Sequence, residues 1–389
     1  MTTIGEGERA TPRRPRARER LLDAIRATGP VSRVELAALT GLTEASVSTA
    51  VRRLLQDGVV VESGRSPTAG KPRVLLQLDP GGRTAVGVDL ATTATTCVLA
   101  GQTGGVLARS SVPTAGTADG ADLARRVARQ VDLLFSASGV DRERCLGVGL
   151  VRSGPPGRSH DEPCEALREV TGRPVHVEDD ATAAAVGEYW VARVDPARSF
   201  AALCMGATLG AGIVLAGTAH RGTHGAAGEF GHVCLDVDGP TCRCGGRGCL
   251  EVLAGPAAVV GAALADPAAR AEAHLDPAGR GDVVADFTAV ARAARAGGSA
   301  CRGLLEGSAR FVAAAAESVV NLLDVDLLVL TGPGFAAAAS VYGRAVQERL
   351  GPAGRRSWRR DVTVTVSSAA ATAPAVGAAA LVLQDRLRR

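Results

Sequence analysis

Apolar residues fall into short blocks whose period changes along the chain, and each change marks an element. From Arg18 the positions Leu21, Leu22 and Ile25 form one helical stripe, which Gly29-Pro30 ends. Ser32 then caps a predicted short helix with Leu36, Ala37 and Leu39 facing inward, and Gly41 permits a tight turn. Thr43 caps a longer helix to about Gln56, in which Val47, Val51, Leu54 and Leu55 recur at helical spacing. The period next drops to that of strands: a run Val59 to Glu62, a turn-rich stretch from Gly64 to Pro72, and a second run Val74 to Leu78 predict a hairpin.

Three helices and a basic hairpin over residues 18–80 are the layout of a winged helix-turn-helix. The third helix leaves Ser46, Ser48, Thr49, Arg52 and Arg53 on its other faces, with Thr43 at its start. Short hydroxyls and guanidinium groups suit base edges and phosphates. The hairpin carries Arg65, Lys71 and Arg73, placed to meet a DNA backbone or minor groove. Residues 1–17, with Arg9, Arg13, Arg14 and Arg16, have almost no apolar side chains and are expected to be disordered, either as a solubilising tail or as a phosphate-seeking arm.

After Asp79-Pro80 three strand-like runs appear, Thr84 to Leu90, Cys97 to Ala100 and Val106 to Val112, followed by a helix from about Ala121 to Ser138. Strand Cys145 to Leu150, a short helix, strand Val175 to Val177 and helix Ala181 to Arg193 come next. A three-strand meander feeding βαβ units is the ribonuclease-H-like lobe of the actin and sugar-kinase superfold. A second lobe begins near Phe200, with helices at about 284–296 and 299–323, a strand Leu327 to Leu330, another helix, strand Val362 to Val366 and an Ala-rich closing helix to Leu387. The fold class is therefore α/β: a winged helix-turn-helix and a two-lobed body over 81–389, lobe one about 81–182 plus the C-terminal helix and lobe two about 183–370.

Charge sharpens this division. Residues 1–80 hold thirteen Lys or Arg against nine Asp or Glu, leaving thirty-one of each sign for the rest, so the whole net charge of +4 lies in the first fifth. No run approaches the length of a membrane span, and the Arg-rich start lacks the apolar stretch of a signal peptide, so the protein is expected in the cytoplasm.

Cysteine usage adds candidate chemistry. Cys97, Cys145, Cys164, Cys204, Cys234 and Cys301 read as small core hydrophobes. Cys242, Cys244 and Cys249 crowd into one Gly-rich segment with the spacing C-x-C-x4-C, and His232 lies ten residues before the first. Three thiolates and an imidazole close a tetrahedral Zn2+ site, and a closed four-ligand site leaves no place for water, so the metal is expected to be structural.

The same region carries a family resemblance. Gly210-Ala211-Gly212-Ile213-Val214, Gly225-Ala226-Ala227-Gly228-Glu229-Phe230-Gly231-His232 and Cys242-Arg243-Cys244-Gly245-Gly246-Arg247-Gly248-Cys249-Leu250-Glu251 resemble the signature of the ROK family of repressors, open reading frames and kinases. The resemblance covers essentially the whole chain, because regulators of that family also begin with a winged helix. It implies that Glu229, His232 and Glu251 hydrogen-bond sugar hydroxyls, with His232 also ligating the metal. It aligns Glu178-Asp179-Asp180 with the family's Glu-Asn-Asp, whose last residue is the general base of the kinases, and it places Ser153-Gly154 in the sugar-binding turn.

Departures from the family pattern bear on activity. Where the kinases have Asp-x-Gly-Gly-Thr-Lys the chain has Asp89-Leu90-Ala91-Thr92-Thr93-Ala94; Thr208 replaces a glycine of the second Gly-rich turn; and Thr331-Gly332-Pro333 replaces Gly-Gly-Gly. Phosphoryl transfer depends on positioning, so three altered nucleotide contacts predict no kinase activity, with Asp180 a vestigial base. Asp179 replaces an amide donor, and the segment between Ser153 and Pro174 is too short for the family's Trp-bearing loop, which predicts a more open pocket. The resulting expectation is a transcriptional regulator, more often a repressor in this family, that binds double-stranded operator DNA as a homodimer or higher oligomer and responds to a monosaccharide or sugar derivative. The competing expectations are an ATP-dependent sugar kinase with a fused DNA-binding domain and an effector-independent DNA-bound scaffold.

Overall fold

The computed structural model describes residues 17–66, 72–91, 94–114, 120–152, 161–192, 194, 198–351 and 361–388. Lys71, Ser153, Gly154, Thr92, Thr93 and nearly all of the arm expected over 1–17 lie outside them. The chain divides into two compact units, one running to Pro80 and the other from Gly81 to Arg386.

The first unit contains α1 (Ala17–Thr28), β1 (Val31–Ser32), α2 (Arg33–Thr40), α3 (Glu44–Gln56), β2 (Val60–Ser66) and β3 (Arg73–Leu78). Ser32 starts α2 through a reciprocal cap: its hydroxyl accepts from the Glu35 N–H at 3.4 Å while its own N–H donates to the Glu35 carboxylate at 2.8 Å. Gly41 ends α2 in the left-handed region at φ 63°, and Thr43 accepts from the Ser46 N–H at 3.3 Å to start α3. Leu21, Ile25, Leu36, Val47, Val51, Leu54 and Leu76 fill the core. Two expectations change. Leu39 is 57% exposed, and Thr40 takes the inward place one turn after Leu36, its hydroxyl donating to the Leu36 carbonyl at 2.6 Å. The hairpin also gains a third strand, because Val31 and Ser32 pair antiparallel with Leu76 and Leu75, giving the order β1-β3-β2.

The second unit repeats one sheet pattern twice. Its first sheet comprises β4 (Thr84–Leu90), β5 (Ala94–Gly101), β6 (Val106–Pro113), β7 (Cys145–Arg152) and β8 (Val175–Asp179) in the order β6-β5-β4-β7-β8. The helices of this lobe are α4 (Gly120–Ser138), α5 (Asp161–Thr171) and α6 (Asp180–Val191). The second sheet comprises β9 (Phe200–Met205), β10 (Leu209–Leu215), β11 (Thr218–Ala219), β12 (Leu327–Thr331) and β13 (Thr363–Val366) in the order β11-β10-β9-β12-β13. In each sheet an antiparallel meander is extended by two strands in parallel pairing. The helices of the second lobe are α7 (Leu250–Ala254), α8 (Pro256–Ala265), α9 (Pro267–Ala273), α10 (Val283–Arg295), α11 (Ser299–Leu323), α12 (Pro333–Ala337) and α13 (Ala339–Leu350), and α14 (Ala373–Arg388) closes the chain.

Each lobe has its own core, Val86, Leu99, Val131 and Leu150 in the first and Leu203, Phe230, Phe287 and Tyr342 among those of the second. Between them α6 and α14 meet backbone to backbone. A Cβ placed on Gly377 would lie 1.7 Å from the Ala183 carbonyl oxygen, and one on Gly187 would lie 2.1 Å from that of Ala373. Gly87 of β4 and Gly149 of β7 are equally blocked, by Ala375 and Ala378 of α14. The alanine-rich helices thus permit a close crossing that larger residues would forbid. Among the described residues no single helix is long and apolar enough to cross a membrane.

Candidate functional site

In the first unit, burial of Val47, Val51 and Leu54 turns the opposite face of α3 to solvent. Thr43, Ser46, Thr49, Arg52 and Arg53 are exposed and Ser48 is half-buried, as are needed for a helix offered to a groove. Thr43 and Ser46 also share a hydroxyl contact at 2.9 Å, which orders the start of that helix. Arg65 on β2 and Arg73 on β3 are exposed on paired strands near the hairpin end.

In the second unit, the first half of β10 touches the start of α6, the turn before Glu229 and the Glu251 side chain. On one side Gly210 and Gly212 admit Ala181 at the start of α6; a Cβ on Gly212 would stand 2.2 Å from the Ala181 carbonyl. On the other, the Ala211 N–H donates to the Gly228 carbonyl at 2.8 Å, and the Leu209 N–H donates to the Glu251 carboxylate at 2.8 Å. The strand thereby brings together α6, the Glu229–His232 turn and the start of α7.

The three consecutive acids have separate duties. Glu178 is held by the Arg221 guanidinium, with Nε at 3.0 Å, and burial raises its pKa more than that partner lowers it. Asp179 caps α6, its Oδ1 accepting from the Thr182 N–H at 2.7 Å, so one oxygen of this expected ligand group serves the helix start. Asp180 is the first residue of α6 and lines a cleft of about 450 Å³ between the lobes. Asp89, the first residue of the altered nucleotide motif, faces the same cleft; it is 9% exposed, and burial, then the charge of Asp180, pushes its pKa up to about 7. It stands in a cross-strand row with Thr96 of β5 and Ser111 of β6. Gly206, Gly332 and Pro333 form part of the opposite wall.

Glu251 is 8% exposed and its pKa is raised by burial, against the Leu209 hydrogen bond. Gly231 and Gly255 make room for it: a Cβ on either would stand 2.8 Å from one of its oxygens. His232 has a different orientation for each ring nitrogen. Nδ1 is 3.6 Å from the Cys242 sulfur, and Nε2 is 3.9 Å from a carboxylate oxygen of Glu229, which is exposed.

His232, Cys242, Cys244 and Cys249 present four ligand atoms within 4.8 Å of one another. Cys244 and Cys249 sulfurs are 3.7 Å apart. A tetrahedral zinc with bonds of about 2.3 Å to sulfur separates two thiolates by ~3.8 Å, so the donor set fits such an ion. The thiols alone are poorly matched: burial, with Cys244 and Cys242 beside it, pushes Cys249 up to about 12, whereas the Gly246 backbone lowers Cys244. A cation is the natural means of keeping all three ionised. Cys234, expected as a core hydrophobe, is exposed and forms an isolated antiparallel bridge with the buried Cys249.

Comparison with known proteins supplies the context for this arrangement. Residues 157–385 match the ROK family, and residues 15–61 match a winged helix-turn-helix DNA-binding family. The chain belongs to the ROK family. It is 25% identical to the xylose repressor of Caldicellulosiruptor bescii over 378 residues, covering 92% of each chain. It is 32% identical to the glucokinase of Thermotoga maritima over 187 residues, 45% of this chain and 58% of that one. Among solved structures, a ROK family transcriptional regulator described as a homolog of the Escherichia coli MLC protein superimposes with a TM-score of 0.70 at 23% identity, covering 95% and 96% of the two chains. A ROK glucokinase from Streptomyces griseus, in complex with glucose and AMPPNP, gives 0.58 at 26% identity, covering 77% of this chain and 98% of that one.

Proposed function

We propose that this ROK protein is a cytoplasmic transcriptional repressor that binds double-stranded operator DNA through α3 and the hairpin, and whose body senses a sugar without phosphorylating it. The observation that carries the reading is the exposed hydroxyl and arginine face of α3 on the same chain as a complete two-lobed ROK body. Similarity over 92% of both chains to a xylose repressor supports it. Pairing through the body would make the operator two-fold symmetric, with half-sites about one helical turn apart.

The sugar would lie near Asp180, Glu229 and His232, with Ser153-Gly154 the adjacent turn. His232 suits two roles at once, Nδ1 toward a structural Zn2+ and Nε2 toward a ligand hydroxyl. Effector binding between the lobes would alter their closure and hence the presentation of the DNA-reading units. Loss of phosphoryl transfer follows from the altered nucleotide wall, where Pro333 stands without an N–H and Thr208 bears a side chain in place of bare backbone.

The test is a mobility shift on genomic fragments with full-length protein. Arg52→Ala with Arg53→Ala should abolish specific retardation, and binding by the unaltered protein should fall steeply with salt. Retention of the specific complex by the double variant would refute the reading. Retention of Asp89 and Asp180 in one cleft favours the kinase alternative, so a coupled ATP assay over hexoses and N-acetylhexosamines is the second arm; turnover that vanishes in Asp180→Asn would establish it.

A further inference from the structure

Lobe two carries a second concavity that the sugar-sensing reading does not use. It is a groove of about 630 Å³ bordered by α10, α11 and α13, within the range of small-molecule sites. Arg302, Glu306 and Arg310 follow one another at four-residue intervals along α11, and Arg344 and Glu348 do the same along α13. Arg295, in the last turn of α10, adds a fourth guanidinium, so arginines outnumber carboxylates four to two.

These arginines are not consumed by ion pairs. Among the described residues none of the four stands within ion-pair distance of a carboxylate, although Glu306 is one turn from both Arg302 and Arg310. Arg302 is positioned by a hydrogen bond to the Ala294 carbonyl at 3.2 Å, which fixes one end of its guanidinium and leaves other N–H groups for a ligand. The floor between the two rows is bare. Gly303 and Gly307 are adjacent turns of α11, and a Cβ on either would meet nothing within 4 Å. A groove kept open by glycine, floored by alanines and bordered by planar cations has the chemistry of a phosphoryl receptor. Its two carboxylates would accept hydrogen bonds from hydroxyl groups on the same ligand.

We propose that this groove binds a small, hydroxyl-bearing phosphorylated metabolite, as a site separate from the cleft that holds Asp89 and Asp180. The test is titration calorimetry of the full-length, metal-loaded protein at constant ionic strength, with inorganic pyrophosphate, glucose 6-phosphate and ATP without magnesium as probes. Saturable binding of glucose 6-phosphate or ATP, stronger than that of pyrophosphate, is expected. Arg302→Gln with Arg344→Gln should weaken it at least tenfold, and Asp180→Asn and Arg52→Ala should leave it unchanged. Gly307→Leu obstructs the floor without changing charge and should also remove binding, while its helix loses nothing by gaining a side chain. Absence of binding by every probe, or binding that survives both groove variants, would overturn the proposal.

Discussion

Asp89 provides a test of the cleft in which the sign and size of the effect both follow from its surroundings. Burial and the neighbouring Asp180 move its pKa from 3.8 to about 7. At about 1.4 kcal/mol per factor of ten in ionisation, this amounts to ~4 kcal/mol of differential interaction, lowered by whatever solvent enters the cleft. The folded protein holds this proton more tightly than the unfolded chain does. The stability it contributes is therefore fully present below pH 3.8 and is lost as pH rises through about 7. Roughly 2.5 kcal/mol of that loss falls between about pH 5 and pH 8. Asp89→Asn keeps the shape and removes the titration. Urea unfolding at those two pH values should show the variant gaining on the unaltered protein by ~2.5 kcal/mol at the higher pH relative to the lower, comparing the transition of the body in each. Equal pH dependence of the two proteins would show that Asp89 is solvated and that the cleft is wetter than its burial implies.

Other consequences are open to direct measurement. Cys244→Ser removes one corner of the four-ligand cluster, and should reduce bound zinc measured by a colorimetric chelator and lower the melting temperature of the body; full metal content would reject the assigned ligand set. Gly377→Val places side-chain atoms against the Ala183 carbonyl, 1.7 Å from the new Cβ, and should cost upward of ~3 kcal/mol or prevent folding. Gly261→Ala is the matched control, since its Cβ would meet nothing within 4 Å, and in α8 it should stabilise by about 0.5–1 kcal/mol. Glu188→Ala deprives the Thr331 hydroxyl, 2.9 Å away, and the Ser367 hydroxyl of their shared acceptor, and should lower thermal stability by ~2 kcal/mol. A melting temperature unchanged by that substitution would mean that water replaces the carboxylate.

The elements most legible in the sequence were an amphipathic helix and an apolar strand run bounded by turn residues. The strand Thr84–Leu90 and the helix Ser299–Leu323 have the boundaries that their periodicity predicts. The helices α7 and α9 are too short to show a period and α8 is apolar or small at every position; Pro256 and Pro267 at the first turns of α8 and α9 were the available signal. Strand β1 is two residues long and exists only through its pairing with β3, which no local pattern announces. The Cys/His cluster around His232 was readable from its spacing, whereas Asp89, in the sequence only the first residue of an altered nucleotide motif, showed its burial beside Asp180 only in the fold. Asp179 and Glu251 illustrate the remaining limit: a motif names a carboxylate, but the backbone N–H that each oxygen accepts from is a property of the assembled chain.

The crossing of α6 with α14 has a consequence for how such a body diversifies. Where carbonyl oxygens rest against glycines, the seating of α14 against α6 and the first sheet is dictated by main-chain shape, and no set of rotamers has to be re-solved when residues around the cavity change. Gly87, Gly149, Gly187 and Gly377 carry that mechanical duty with no polar chemistry of their own. The surfaces around them are thereby free to trade one ligand for another while the seating of these two helices keeps its geometry.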